Sequence, residues 1–296
     1  MKGRMLFIFN PRSGKGLIRN KLMDIIDVFV KGGYEVVVHP TQGTKDAERM
    51  AKIMAEEVDL IVCSGGDGTL DEVVTGLMEV HANVPLGYIP AGSTNDFANS
   101  LEIPRDMVKA AQDIIEGHMY SVDVGSFNDD NFIYVAAFGI FTDVAYQTDQ
   151  NLKNMLGHLA YVMEGAKRIF DVKTYHLRVE ANGEVHEGEY IYGMITNSHS
   201  VGGFKNLVGT DVEMDDGLFE VTLIKKPNNP LELNEIIVAL VNAYDNTNMI
   251  DAFKADSLYI QSDETIPWTL DGEYGGDHKE VQIKNRKRAL DILINS

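Results

Sequence analysis

The sequence predicts an α/β N-terminal domain on a parallel sheet, followed by a second domain dominated by antiparallel β-sheet of a β-sandwich-like kind. Three observations carry this. Up to about residue 120, short apolar runs alternate with segments of helical period, the pattern of a parallel sheet covered on both faces. Beyond that point helical periodicity recedes, and alternating runs are joined by short turns such as Asn182-Gly183, a strong hairpin signal. In the first region each strand empties into a loop rich in Gly, Ser, Thr, Asn or Asp.

The elements follow in order. Residues 4–9 form an apolar strand, and Asn10-Pro11-Arg12-Ser13-Gly14-Lys15-Gly16 is a turn. Leu17, Leu22, Ile25, Ile26, Phe29 and Val30 then recur at helical spacing until Gly32-Gly33 stops them. A strand at 34–39 precedes a helix at 44–57 with Ala47, Met50, Ala51 and Met54 on one side. The strand at 58–63 runs into Gly65-Gly66-Asp67-Gly68-Thr69, and Leu70, Val73, Val74, Leu77 and Met78 mark a helix over 70–80. A strand at 86–89, a loop at 90–96 and a helix at 107–116 complete the region. In such sheets ligands bind beyond the carboxyl ends of the strands, so the loops at 10–16, 65–69 and 92–96 should converge there.

The second region reads as strands at 121–127, 132–138, 175–181, 186–196, 218–225, 257–262, 266–270 and 279–284, with helices at 151–170 and 231–243. The expected domains are 1–121 and 122–287. The last run, 288–296, is a strand that pairs in the second domain or returns to the first.

Composition narrows the function. The 296 residues are 44% hydrophobic and 24% charged, which fits a folded chain. A net charge of -19 argues against a nucleic-acid-binding surface and against a wholly electrostatic hold on anionic lipid. Cys63 is the one cysteine, so no disulfide forms within the chain and no cysteine metal site exists. This fits a reducing cytoplasm. The N-terminal apolar run is too short for a signal peptide, and no stretch reaches the length of a membrane span.

The loop at 65–69 is the most informative. Gly65, Gly66 and Gly68 allow positive φ and bring a ligand close to bare backbone. The turn lies at a helix N-terminus, where phosphate oxygens bind. Asp67 would repel that phosphate unless a cation intervenes, and this conflict suggests Mg²⁺ with a nucleotide. It is neither a Walker loop nor the Gly-x-Gly-x-x-Gly fingerprint. Arg12, Lys15 and Arg19 are cations beside backbone donors at 10–16. Ser93, Thr94, Asn95 and Asp96 could serve equally as caps for a helix near Phe97. Asp123 ends a strand, Asp215-Asp216-Gly217 reads as a turn, and Leu270-Asp271-Gly272-Glu273 could be a hairpin turn.

Together these segments resemble the bacterial diacylglycerol kinase-like lipid kinases over nearly the whole chain. The match includes Asn10-Pro11-x-Ser13-Gly14-x-Gly16, Gly65-Gly66-Asp67-Gly68-Thr69-x-x-Glu72-Val73 and Gly92-x-Thr94-Asn95-Asp96-Phe97-Ala98. It continues through Asp123-x-Gly125, Gly202-Gly203, Asp216-Gly217 and Leu270-Asp271-Gly272-Glu273. The resemblance implies ATP, held by Asn10, Ser13, Gly14, Thr41, Gly65, Gly66, Asp67, Gly68, Thr69, Glu72 and Thr94. It implies Mg²⁺ in an acidic network of Asp67, Asp96 and Asp123, and Glu273 as general base. It also implies a second, structural Mg²⁺ on the Asp216 side chain and the carbonyls of Glu213 and Leu218, although 208–211 lacks the proline often found before that site. The expected partners are a lipid alcohol reached by peripheral contact at the inner membrane face, and a second copy of the chain. The rivals are a soluble kinase of the same superfamily, NAD kinase-like, and a non-catalytic nucleotide-binding regulator. A NAD kinase pairs the Gly-Gly-Asp turn with an Asn-Glu motif entering the second domain. Here Asn234-Glu235 comes too late for that.

Overall fold

The computed structural model describes residues 2–140, 172–199, 201, 212–241 and 247–295. The helix expected at 151–170 lies outside the described residues. The chain forms two compact units, Met1–Val124 with Arg288–Ser296, and Gly125–Lys287.

The first unit is built on β1 (Gly3–Phe9), β2 (Tyr34–Pro40), β3 (Leu60–Gly65) and β4 (Leu86–Pro90). Its helices are α1 (Ile18–Lys31), α2 (Asp46–Met54), α3 (Asp67–Glu79), α4 (Asp96–Ser100) and α5 (Met107–Glu116). The strand order β4-β3-β1-β2 is parallel throughout. Two long strands, β5 (His118–Phe127) and β13 (Glu273–Ile294), belong to this unit by one end each. The C-terminal end of β13 pairs parallel with β4 at Ile292 and Leu86. Every residue of β3 is buried, as expected of a strand covered on both faces. Phe7, Ile25, Phe29, Leu60, Ile89 and Ile114 form one core under α1 and α5. The Asp106 carboxylate caps α5 by accepting from the Val108 and Lys109 amides at 3.0 and 2.9 Å.

Helices α1 and α3 each differ in one detail from the sequence pattern. Leu17 and Val30 are more than half exposed, while Ile18, Ile25 and Phe29 are the buried stripe. Helix α3 starts at Asp67 rather than Leu70, so the Gly-rich segment is itself the helix entrance.

The second unit contains β6 (Asp130–Phe132), β7 (Val135–Gly139), β8 (Tyr175–Ala181), β9 (Glu184–Thr196), β10 (Phe219–Lys225), α6 (Pro230–Val241), β11 (Ile250–Ala255) and β12 (Ser257–Leu270). With the first part of β13 these run β11-β10-β9-β7-β12-β13, with β8 pairing to β12 and β9, all antiparallel. Alternation is clearest in β8, whose side chains go in and out by turns. Trp268 is fully buried and packs edge-on against Phe127 and Phe138 at centroid distances of 5.0 and 4.8 Å. Strand β11 was missed in the sequence. The runs expected at 257–262 and 266–270 are one strand with an irregular register between Gln261 and Ile266. The run expected at 132–138 is broken at Ile133 and Tyr134. Asn182 and Gly183 both take positive φ, as a tight hairpin requires.

Candidate active site

In the first unit the loops after β1, β3 and β4 converge, held by their own backbone. The Asn10 amide donates to the Ser64 carbonyl at 2.8 Å, and the Ala91 amide donates to the Gly65 carbonyl at 2.7 Å. The Asn10 side chain donates to Thr69 Oγ1 at 3.3 Å and accepts from the Arg12 amide at 2.9 Å. Ser13 Oγ accepts from the Gly66 amide at 3.2 Å. Asn10, Ser13, Gly65, Gly66 and Thr69 therefore form one cluster, and Asp67 and Gly68 open α3 beside it.

Gly65 and Gly92 are there for closeness, not for left-handed backbone. Neither Gly65, Gly66 nor Gly68 takes positive φ. A Cβ on Gly65 would lie 2.4 Å from Thr69 Cβ, and one on Gly92 would lie 2.7 Å from the Gly66 Cα. Gly14 does require its freedom, at φ +54 with the Ala91 carbonyl 2.4 Å from where a Cβ would stand.

The loop before α4 does not cap that helix with a side chain. Asn95 occupies the N-cap position at φ 55, without a capping bond. Its amide closes the loop on itself, accepting from the Gly92 N–H at 2.9 Å and donating to the Gly92 carbonyl at 2.8 Å. Thr94 is half-buried in this loop, and its carbonyl accepts from Asn99 at 3.0 Å.

Asp67 instead faces the start of α4. Burial, and then the neighbouring Asp96 carboxylate, push its pKa up to about 6, against the pull of the Asp96, Asn95 and Phe97 amides. Its Oδ1 is buried with no hydrogen-bond partner among the described residues. Asp96 itself is buried. An orphaned carboxylate oxygen beside a second buried carboxylate is a donor set that a divalent cation completes. Mg²⁺ commonly takes one or two protein carboxylates and finishes its shell with water and phosphate oxygens. Among the described residues, no three His, Cys, Asp or Glu side chains group as a metal cage.

Glu72 points away from the Gly-rich loop and accepts from the Lys45 and Ala47 amides at 2.7 and 3.1 Å, so it ties α3 to the start of α2. Thr41, just past β2, is anchored by its amide to the Phe9 carbonyl at 2.9 Å. Asp123 is fully buried and accepts from the Arg288 amide at 2.7 Å. Glu273 belongs to the second unit and is exposed at the first position of β13.

The set expected for a structural metal does not fit one. Asp216 Oδ1 accepts from the Leu218 amide at 2.8 Å. Its Oδ2 lies 3.5 Å from Lys254 Nζ, and its carbonyl accepts from Lys287 Nζ at 3.0 Å. Lys254 also reaches Glu220 Oε1 at 3.2 Å. One ammonium group thus stands at a carboxylate oxygen assigned to the ion and a second at the Asp216 carbonyl beside it, and a dication there would be strongly repelled. Glu213 precedes the same turn and is exposed.

Residues 4–127 match the diacylglycerol kinase catalytic domain family, and residues 135–294 match the YegS C-terminal NAD kinase beta sandwich-like domain. The chain is 37% identical over 275 residues to a protein named diacylglycerol kinase from Bacillus subtilis (strain 168), covering 92% of this chain and 90% of that one. The chain belongs to the diacylglycerol kinase family. A relative of the same name from Staphylococcus carnosus (strain TM300) is 36% identical over 294 residues, covering 99% of this chain and 95% of its own. A candidate diacylglycerol kinase from Bacillus anthracis str. Sterne, solved as a crystal structure, superposes with a TM-score of 0.83 at 26% identity, covering 100% of this chain and 98% of that one. The family makes this chain a lipid kinase, a phosphotransferase with an alcohol acceptor, and a kinase implies ATP use.

Proposed function

We propose that this kinase transfers the γ-phosphoryl group of ATP, with Mg²⁺, to the primary hydroxyl of diacylglycerol or a related lipid alcohol, giving a phosphatidic-acid-type product. The observation that carries the reading is the cluster of loops around the orphaned Asp67 oxygen. The names of the similar proteins supply the acceptor.

Phosphoryl transfer asks a protein for positioning and charge control rather than covalent chemistry. Asn10, Ser13 and Thr69 fix the loops that would hold the phosphates, and Gly66 and Gly92 let two of those loops pack backbone against backbone. Asp67 and Asp96 would hold Mg²⁺, which when bound neutralises phosphate charge. Asp123 is a buried acidic group of the same unit, fixed by the Arg288 amide. As the lipid hydroxyl oxygen bonds to the γ-phosphorus, the bond from phosphorus to the bridging oxygen breaks and ADP leaves. The hydroxyl proton passes to Glu273. The acceptor brings the kinase to a membrane surface as a peripheral visitor, at the cytoplasmic face. No helix among the described residues is long and apolar enough to cross a membrane.

One observation favours a second reading. The family model for the second domain is described as NAD kinase beta sandwich-like, which suits a soluble acceptor such as NAD. Glu273→Gln tests the first reading. Turnover on diacylglycerol should fall to a small residual rate while Mg-ATP binding stays near wild type, and wild-type turnover would remove Glu273 from the mechanism.

A further inference from the structure

The hairpin that carries Glu273 is anchored by a carboxylate that the mechanism above does not use. Asp271 and Gly272 form a two-residue turn between β12 and β13, with Leu270 opposite Glu273. Both turn residues have positive φ, 50 and 86, the pattern of a type I′ hairpin turn. Asp-Gly suits such a turn without further help, so the Asp271 side chain would ordinarily point to water. Here it is buried. Its Oδ2 accepts from the Ile133 amide at 2.6 Å, and its Oδ1 accepts from the Tyr134 and Val135 amides, both at 2.9 Å.

Three consecutive backbone amides thus close on one carboxylate, and this is where the chain breaks between β6 and β7. The backbone joins in as well. The Asp271 amide donates to the Val135 carbonyl at 2.8 Å, and Tyr134 Oη donates to the Asp271 carbonyl at 3.1 Å. The receiving segment is itself fixed, because the Tyr134 carbonyl accepts from Thr196 Oγ1 at 2.7 Å and from the Asn197 amide at 3.0 Å. Glu273 is two residues from this lock, on a strand start that is otherwise exposed.

We infer that Asp271 is a positioning residue, whose clamp on the amides of Ile133, Tyr134 and Val135 sets the place and direction of the Glu273 carboxylate. The inference rests on the proposed role of Glu273 as the group that takes the hydroxyl proton. A general base must stay within hydrogen-bond reach of its proton. A displacement of about 1 Å in a positioned group costs on the order of 10²-fold in rate. Asp271→Asn keeps the size but turns an amide NH₂ toward at least one of the three N–H donors.

The test is a cycle of four full-length proteins: wild type, Asp271→Asn, Glu273→Gln and the double variant, assayed on a short-chain diacylglycerol in mixed micelles. Asp271→Asn should lower kcat by roughly 10²-fold with the KM for ATP unchanged, as befits a displaced base. The double variant should be no slower than Glu273→Gln alone, since the clamp acts through that residue. Tyr134→Phe removes one bond to the Asp271 carbonyl and leaves the carboxylate in place. It provides a reading should Asp271→Asn fail to fold, and it should lower kcat several-fold with the KM for ATP unchanged. A wild-type kcat in Asp271→Asn, or a further loss in the double variant, overturns the positioning role; with Asp271→Asn unfolded, a wild-type kcat in Tyr134→Phe does so. Full turnover in Glu273→Gln instead overturns the reading of Glu273 itself.

Discussion

Asp67→Asn should make the metal-free protein more stable while destroying its use of Mg-ATP. Burial and Asp96 raise the Asp67 pKa from 3.8 to about 6 in the folded chain. A raised carboxylate pKa means that the folded state binds the proton more tightly than the unfolded one. Its stabilising contribution is complete below pH 4 and is lost as pH rises through 6. A shift of about 2 units corresponds to a cost of about 3 kcal/mol above pH 7, and about half of that at pH 5. Asparagine carries no charge, keeps one oxygen for the α4 amides and offers an NH₂ where Asp67 Oδ1 has no partner. The variant should therefore gain up to about 3 kcal/mol at pH 8, roughly 10 °C in the melting of the first unit, with the gain shrinking toward pH 4. Thermal unfolding monitored by circular dichroism at pH 8 and pH 5, with and without Mg-ATP, reads all of this. Wild type should be stabilised by Mg-ATP, and the variant should not. A variant less stable than wild type at pH 8, or a gain equal at both pH values, would refute the argument that burial and Asp96 strain this group.

Two further substitutions probe the surrounding frame. Glu72→Ala leaves the Lys45 and Ala47 amides without their acceptor and should cost about 1–2 kcal/mol, as loss of a helix N-cap does. Its steady-state kinetics should show a higher KM for ATP with kcat nearly kept, and Glu72→Gln, which keeps one acceptor oxygen and turns an NH₂ toward the other amide, should recover only part of the loss. Lys254→Met removes the ammonium group shared by Asp216 and Glu220 and should destabilise by about 2 kcal/mol at pH 8. Because burial pushes the Glu220 pKa up to about 7, that loss should diminish below pH 7, which urea unfolding at two pH values would show. Adding Mg²⁺ should restore none of it.

The parallel sheet was legible because its buried strands and amphipathic helices carry period in every segment. Lost detail concerned groups whose partners are far away in sequence. Glu72 looks like a first-turn carboxylate at a helix start, and nothing near it reveals that its acceptor oxygens serve α2. Asp271 looks like an ordinary turn residue, while its three donors lie more than 130 positions earlier. Gly65 and Gly66 do not take the positive φ that their turn-like sequence suggests; contact with Thr69 and Gly92 decides them. Strand β11 escaped because Ile250–Ala255 lies at the end of the strand order and its alternation is partial. The lysines at Asp216 gave no local signal, since Lys254 and Lys287 arrive from distant strands.

The central claim is tested most directly by measuring Mg²⁺-dependent transfer of labelled γ-phosphate from ATP to a short-chain diacylglycerol in mixed micelles, with NAD and a sphingoid base in parallel. Label in a phosphatidic-acid-type product, absent without Mg²⁺ and absent with the other two acceptors, is the predicted result. Label in NAD, with none in lipid, would contradict the account.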